Sequence, residues 1–260
     1  MRNKRPHAGF TLIELLTAIG VIAVLAAILA PVYMSAQKSA LRAACQSNLS
    51  QVARGFEMYL SDYNGCYPCI ADDPATSMNE PQYLWAGIKW RDTFRKYAVI
   101  GNVSSGGSKR MILACPSDPN AVGIYAGTSY AYSASFYMEP DQVDAVADCD
   151  YLRSAKYSSA TPSLPCTPMK SSEVKYTSKK IMLAEYWTLH SAKITIGWYD
   201  DASTGNDPWS GERNCLFPDG HVKLVPTKSI HPATSPVVDR ARLLPDINLT
   251  TNGVHGKDID

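Results

Sequence analysis

No excess of either charge marks this 260-residue chain: Lys and Arg total 25, Asp and Glu 24, and the formal net charge is +1. A chain without a basic surplus has little to neutralise phosphates with, which argues against a nucleic-acid partner. It has no glycine-rich phosphate loop and no Gly-x-Ser-x-Gly elbow. Its histidines are few, and His190, His221, His231 and His255 are scattered along the chain. Nothing in these patterns calls for an enzyme. Phenylalanine is scarce, with 5 residues against 15 Tyr, while Pro and Gly number 17 and 16. That balance favours β-structure and turns over a helical bundle. Charged residues make up 19% and hydrophobic ones 45%, an ordinary globular mix that rules out wholesale disorder.

The apolar residues are unevenly spread. Leu15 to Gln37 is a run of 23 residues without Asp, Glu, Lys, Arg or His, long enough to cross a bilayer as a helix. Arg2, Lys4 and Arg5 precede it and hold that end in the cytoplasm, placing the remainder outside. A secretory signal peptide would explain the basic start, with Ala26, Ala27 or Ala30 flanking a cut. A plain uncleaved anchor would explain the length. Neither explains Glu14, because an ionisable group in a spanning helix costs about 2.5–3.5 kcal/mol and marks function by default.

The run Arg5-Pro6-His7-Ala8-Gly9-Phe10-Thr11-Leu12-Ile13-Glu14-Leu15-Leu16 resembles the leader of type IV prepilins and of the pseudopilins of type II secretion. The resemblance implies cleavage after Gly9 by prepilin peptidase and N-methylation of the new terminus, Phe10. It also implies an assembly role for Glu14, fifth in the mature chain, and a helix interruption at Pro31. Glu14 would pair with the α-amine of a neighbouring subunit, two charges that are each costly alone in lipid. Loss of the leader shifts the formal charge from +1 to −2.

Past the span, Leu41, Cys45, Leu49, Val52, Phe56 and Tyr59 recur at spacings of three and four, one apolar face at helical period. The helix is expected from Phe10 to about Ser61, about 75–80 Å at ~1.5 Å per residue. It should stop at Asp62-Tyr63-Asn64-Gly65. Pro31 removes one backbone donor on the way. Trp85–Val99 reads as a short helix. Met111–Ala114, Tyr130–Phe136, Lys180–Leu189 and Lys193–Tyr199 read as strands. Cys215-Leu216-Phe217 and His221–Val225 flank Pro218-Asp219-Gly220, a hairpin signal with Gly220 at positive φ. Residues 139–179 carry few periodic cues, and beyond Pro226 the chain reads as a polar tail with Pro232, Pro236 and Pro245.

The expected fold is α+β and pilin-like, a long N-terminal helix packed on a C-terminal antiparallel sheet. The divisions are a leader at 1–9, a transmembrane or fibre-core helix at 10–35, an amphipathic continuation at 36–62 and an extracytoplasmic β-rich domain at 63–260. Cys45-Gln46-Ser47-Asn48-Leu49, Gly65-Cys66-Tyr67-Pro68, Cys115-Pro116-Ser117-Asp118 and Phe217-Pro218-Asp219-Gly220-His221-Val222 resemble a subfamily of prepilin-like proteins. That subfamily usually has a His ten residues before the Asp of its Asp-Gly turn, where this chain has Trp209.

The seven cysteines are Cys45, Cys66, Cys69, Cys115, Cys149, Cys166 and Cys215. Outside the cytoplasm several should pair, in a connectivity the sequence leaves open, and an odd number leaves at least one over. Cys66-Tyr67-Pro68-Cys69 has redox-dithiol spacing but follows a helix end, whereas activated pairs sit at helix N-termini. Zinc would need a second close ligand pair, and none exists in sequence. Asp200, Asp201 and Asp207, with Glu212, crowd one loop. Calcium favours such oxygens, although the spacing is not that of an EF-hand. Calcium is thus the one candidate cofactor.

The resulting reading is a structural fibre subunit of a type II secretion pseudopilus or a type IV pilus-like fibre. It would be anchored once in a bacterial inner membrane with its N-terminus cytoplasmic. Its partners would be prepilin peptidase, other pilin-like subunits, and an inner-membrane assembly platform with its ATPase. The alternatives are a membrane-tethered polysaccharide-binding module using Trp198 and Trp209, or a tethered thiol oxidoreductase using Cys66 and Cys69.

Overall fold

A computed structural model describes residues 11–69, 96–97, 112–118, 128–145, 167–191, 209–232, 247 and 250–260. The expectations at Gly9, Phe10, Cys149, Cys166, Trp198, Asp200, Asp201, Asp207 and Lys193–Tyr199 lie outside the described residues, as does all of Trp85–Val99 except Lys96 and Tyr97. The chain divides into two units, Met1–Leu41 and Arg42–Asp260.

Helix α1 runs from Leu12 to Asp62 and includes Pro31 without a break in helical structure. Its C-terminus closes as the sequence requires. Asn64 and Gly65 take φ of 53° and 76°, and the Gly65 amide donates to the Leu60 carbonyl at 2.7 Å. That is the left-handed, six-to-one closure of a helix end, for which Asn and Gly are the least strained residues.

In the second unit, β1 (Tyr130–Tyr132), β2 (Leu183–Glu185), β3 (Glu212–Leu216) and β4 (Val222–Pro226) form an antiparallel sheet in sequential order. The register sets Tyr130 opposite Glu185, Tyr132 opposite Leu183, and Leu183 opposite Leu216. Alternation then puts Tyr130, Tyr132, Leu183, Glu185, Asn214 and Leu216 on one face. This face meets α1. Phe56 packs on Tyr132 with ring centroids 5.7 Å apart, and the Tyr130 hydroxyl donates to the Cys45 carbonyl at 3.4 Å. Cys45, Leu49, Val52, Phe56 and Tyr59 of the expected stripe are all buried. The β3–β4 turn is the expected hairpin: the Gly220 amide donates to the Phe217 carbonyl at 2.9 Å, with Gly220 at φ 85°.

Three strand expectations shorten. Met111–Ala114 is no strand where described. Residues 112–118 form turns instead, because the Leu113 carbonyl accepts from Ser129 N and Thr128 Oγ1, and the Ala114 carbonyl from Asn48 Nδ2. One backbone amide and two side-chain donors take the place of a ladder there. Tyr130–Phe136 is a strand only to Tyr132. Ser133 accepts from the Ser135 amide and opens a 3-10 turn over Ala134–Phe136. Lys180–Leu189 is a strand only at Leu183–Glu185, because the Ile181 amide is drawn to the Asp258 carboxylate.

Within residues 139–179, the described stretches 139–145 and 167–179 hold more order than their pattern implied. A short helix, α2 (Pro140–Ala145), starts with Pro at its first position, where the missing donor costs nothing. The supposed polar tail is also not one throughout. Ile247, Val254, Asp258 and Ile259 are buried, and Asp258 ion-pairs with Lys180 at 3.0 Å with both side chains fully enclosed.

Candidate functional site

The first unit presents an apolar helix whose described side chains stand exposed. From Leu12 to Met34 the large apolar side chains are between 54% (Leu25) and 81% (Leu12) exposed. The helix is long and apolar enough to cross a membrane. Its polar groups are satisfied within the helix. Thr17 Oγ1 donates to the Ile13 and Glu14 carbonyls, each at 3.0 Å.

Glu14 lies at the third helical position behind Thr11. Its Oε2 accepts from the Thr11 amide and from Thr11 Oγ1, each at 2.8 Å, while the Glu14 amide donates to Thr11 Oγ1 at 3.3 Å. This is a reciprocal capping box. It holds the carboxylate at the N-terminal end of the span, on the same side as the position expected for a new terminus at Phe10. The sequence carried the signal in Thr11-Leu12-Ile13-Glu14, and the reading of Glu14 as an assembly residue passed over its local partner.

In the second unit, residues from motifs far apart in sequence converge. Cys45 and Cys115 form a disulfide across a separation of 70 residues. Asn48 Nδ2 donates to the Ala114 carbonyl at 3.1 Å, and Gln46 Nε2 to Asn214 Oδ1 at 3.1 Å. The Cys45–Leu49 stretch of α1 thereby ties the Cys115 turn to β3. Beside the disulfide lie two ionisable groups. His190 Nε2 is 3.6 Å from Cys115 Sγ and 3.0 Å from Glu185 Oε1. Glu185 is fully buried and also accepts from Asn214 N at 2.8 Å and Asn214 Nδ2 at 2.9 Å. Arg213 is buried next to it, donating from Nη1 to the carbonyls of Glu185 and Tyr186. Burial pulls the Arg213 guanidinium down to about 10. Sequence reasoning set His190 aside as scattered and gave Glu185 no role. Periodicity could not reveal them, because the turn at Thr188–Ser191 folds His190 back over Glu185.

The other described cysteines, Cys66, Cys69 and Cys215, are not bonded to the Cys45–Cys115 pair. Cys66 is half-buried directly after α1, bridged to Lys170, and Cys69 is buried. This Cys-x-x-Cys follows the C-terminal end of a helix, unlike activated pairs at N-termini. Cys215 is buried on the opposite sheet face, and enclosure pushes its thiol far up. Trp209 is half-buried and lines an open groove with Lys223, Val225 and His231. Of the acidic loop, only Glu212 is described. It begins β3, its amide accepted by Ser191 Oγ at 2.8 Å.

These features define a single-pass α+β protein with an apolar N-terminal helix and a disulfide-linked sheet domain. Among protein-family models, residues 4–30 match the prokaryotic N-terminal methylation motif, the prepilin-like signal. Neither the curated proteins nor the solved structures yielded a match. The motif and the apolar helix support a membrane-anchored protein, and over residues 4–30 the chain is similar to type IV prepilin-like proteins.

Proposed function

We propose that this chain is a non-catalytic structural subunit of a helical fibre, either a type II secretion pseudopilus or a type IV pilus-like filament. The observation that carries the reading is the first half of α1, apolar, more than half exposed, and headed by the methylation motif. A surface of that kind is stable only in lipid or against copies of itself. Prepilin peptidase would cut after Gly9 and methylate Phe10. The inner-membrane platform and its ATPase would then move the subunit from bilayer to fibre, with the sheet domain extracytoplasmic. Glu14 would exchange part of its contact with Thr11 for the α-amine of a neighbouring subunit and so fix axial register.

Two measurements on the chain, made in a host with the peptidase, test this. Intact mass should show loss of residues 1–9 and gain of one methyl. Glu14→Val should leave membrane insertion and cleavage intact while lowering the ratio of sheared-fibre to membrane protein. A mature terminus near Val32, or an unchanged ratio in a fibre-forming strain, overturns the proposal.

A further inference from the structure

We infer that Cys45, Cys115, Glu185 and His190 constitute a metal site of the zinc type that is exclusive with the disulfide: oxidised, the cysteines bond to each other, and reduced, the four side chains bind one divalent soft-to-borderline cation. The four donor atoms all lie within 4.8 Å of one another and come from α1, the Cys115 turn, β2 and the turn after it. A disulfide needs neither a carboxylate nor an imidazole beside it, and enclosing a carboxylate is costly unless it has partners. Two sulfurs, one imidazole nitrogen and one carboxylate oxygen are, however, a four-coordinate zinc donor set.

The surroundings fit that use. Asn214 fixes both oxygens of Glu185, and Gln46 fixes Asn214, the kind of outer support that orients metal ligands. Two thiolates and a carboxylate around a dication leave one negative charge, and the buried Arg213 guanidinium, held on the Glu185 main-chain carbonyl from the opposite sheet face, offsets it through space rather than by contact. The rearrangement is small. Thiolates about 2.3 Å from a tetrahedral metal are about 3.8 Å apart, so each sulfur of an ordinary disulfide swings by roughly 1 Å. The chemistry balances with a thiol or phosphine reductant. Two electrons and two protons cleave the S–S bond to two thiols while the reductant is oxidised. Metal binding then releases the two thiol protons to solvent. Because the donors are distant in sequence, the search for a second close ligand pair passes over them.

The test uses the full chain in detergent, reduced with a phosphine, and Co²⁺ alone as the probe. One Co²⁺ per chain should bind with tetrahedral ligand-field bands and a thiolate charge-transfer band, releasing two protons. The oxidised chain should give neither band. Cys66→Ser should leave the spectrum unchanged, Cys45→Ser should remove most of the charge transfer, and His190→Ala should weaken binding at least about tenfold. Zinc-edge absorption on the unaltered reduced chain guards against variants that misfold, and should give two sulfurs and two lighter ligands. The inference is overturned if the reduced chain binds no Co²⁺, if binding survives Cys45→Ser and His190→Ala unchanged, if the zinc shell is all sulfur, or if reduction unfolds the chain and zinc does not restore it. None of these outcomes bears on cleavage after Gly9 or on fibre formation.

Discussion

Replacing Asp258 with Ala should strip the C-terminus from the sheet domain. Asp258 accepts from Lys180 Nζ at 3.0 Å, from the Ile181 amide at 2.6 Å and from Thr250 Oγ1, and its own amide and that of Ile259 donate to the Lys179 carbonyl. Lys180 and Asp258 are both fully enclosed. Asp258→Ala leaves a buried ammonium without its counter-charge, together with a buried amide and a hydroxyl deprived of their acceptor. Breaking one side of a buried pair costs about 3–5 kcal/mol. With a urea slope of about 2–3 kcal/mol per molar, the midpoint should fall by roughly 1–2.5 M. Removing both charges together, as Lys180→Met with Asp258→Leu, should recover much of the loss, since apolar replacements of a buried pair are often neutral. The assay is equilibrium urea unfolding of the full chain in detergent, followed by tryptophan fluorescence, with tryptic cleavage at Lys257 as a local readout. An Asp258→Ala midpoint within error of the parent, or no coupling in the double-mutant cycle, would refute the reasoning and return residues 250–260 to the status of a tail.

Three other outcomes follow from the same geometry. Cys115→Ser opens a cross-link between residues 70 apart and should cost about 4 kcal/mol by loop-closure entropy, read as a lower urea midpoint under non-reducing conditions. The Cys215 thiol, raised by burial, should resist iodoacetamide in the native chain at pH 8 to 9 while half-buried Cys66 reacts, and modification of Cys215 without unfolding would contradict its placement. The Tyr97 phenol, which donates to Asp62 Oδ2 at 2.8 Å, is pushed up to about 12. A raised acid contributes stability below its unfolded value near 10 and loses it as pH climbs through 12. Asp62→Asn should therefore bring one tyrosine's ultraviolet titration back towards its ordinary range.

Much of the fold was written locally. A charge-free run, a three-and-four apolar stripe, an Asn-Gly stop and a Pro-Asp-Gly turn each depend on residues within a few positions of one another. Helix α1, its left-handed closure and the β3–β4 hairpin accordingly stand as the pattern implies. No strand forms over the described part of Met111–Ala114, and that over Tyr130–Phe136 ends at Tyr132, because alternation reports burial, while side-chain groups such as the Asn48 and Thr128 donors and the Ser133 acceptor decide whether a backbone joins a ladder. The C-terminal segment, rich in polar residues, has no local signal of burial because the contacts that hold its described residues are distant in sequence, the pair of Asp258 with Lys180 spanning 78 positions.

The sequence by itself determined the membrane helix, the methylation signal and the position of Glu14, since each is a matter of composition and fixed spacing along one chain. Only the tertiary structure decided that Cys45 meets Cys115, that Glu185 and His190 stand beside them, and that Asp258 closes on Lys180. Those pairings depend on strand register and on turns that bring distant residues to one face, and no local period encodes a distance through space.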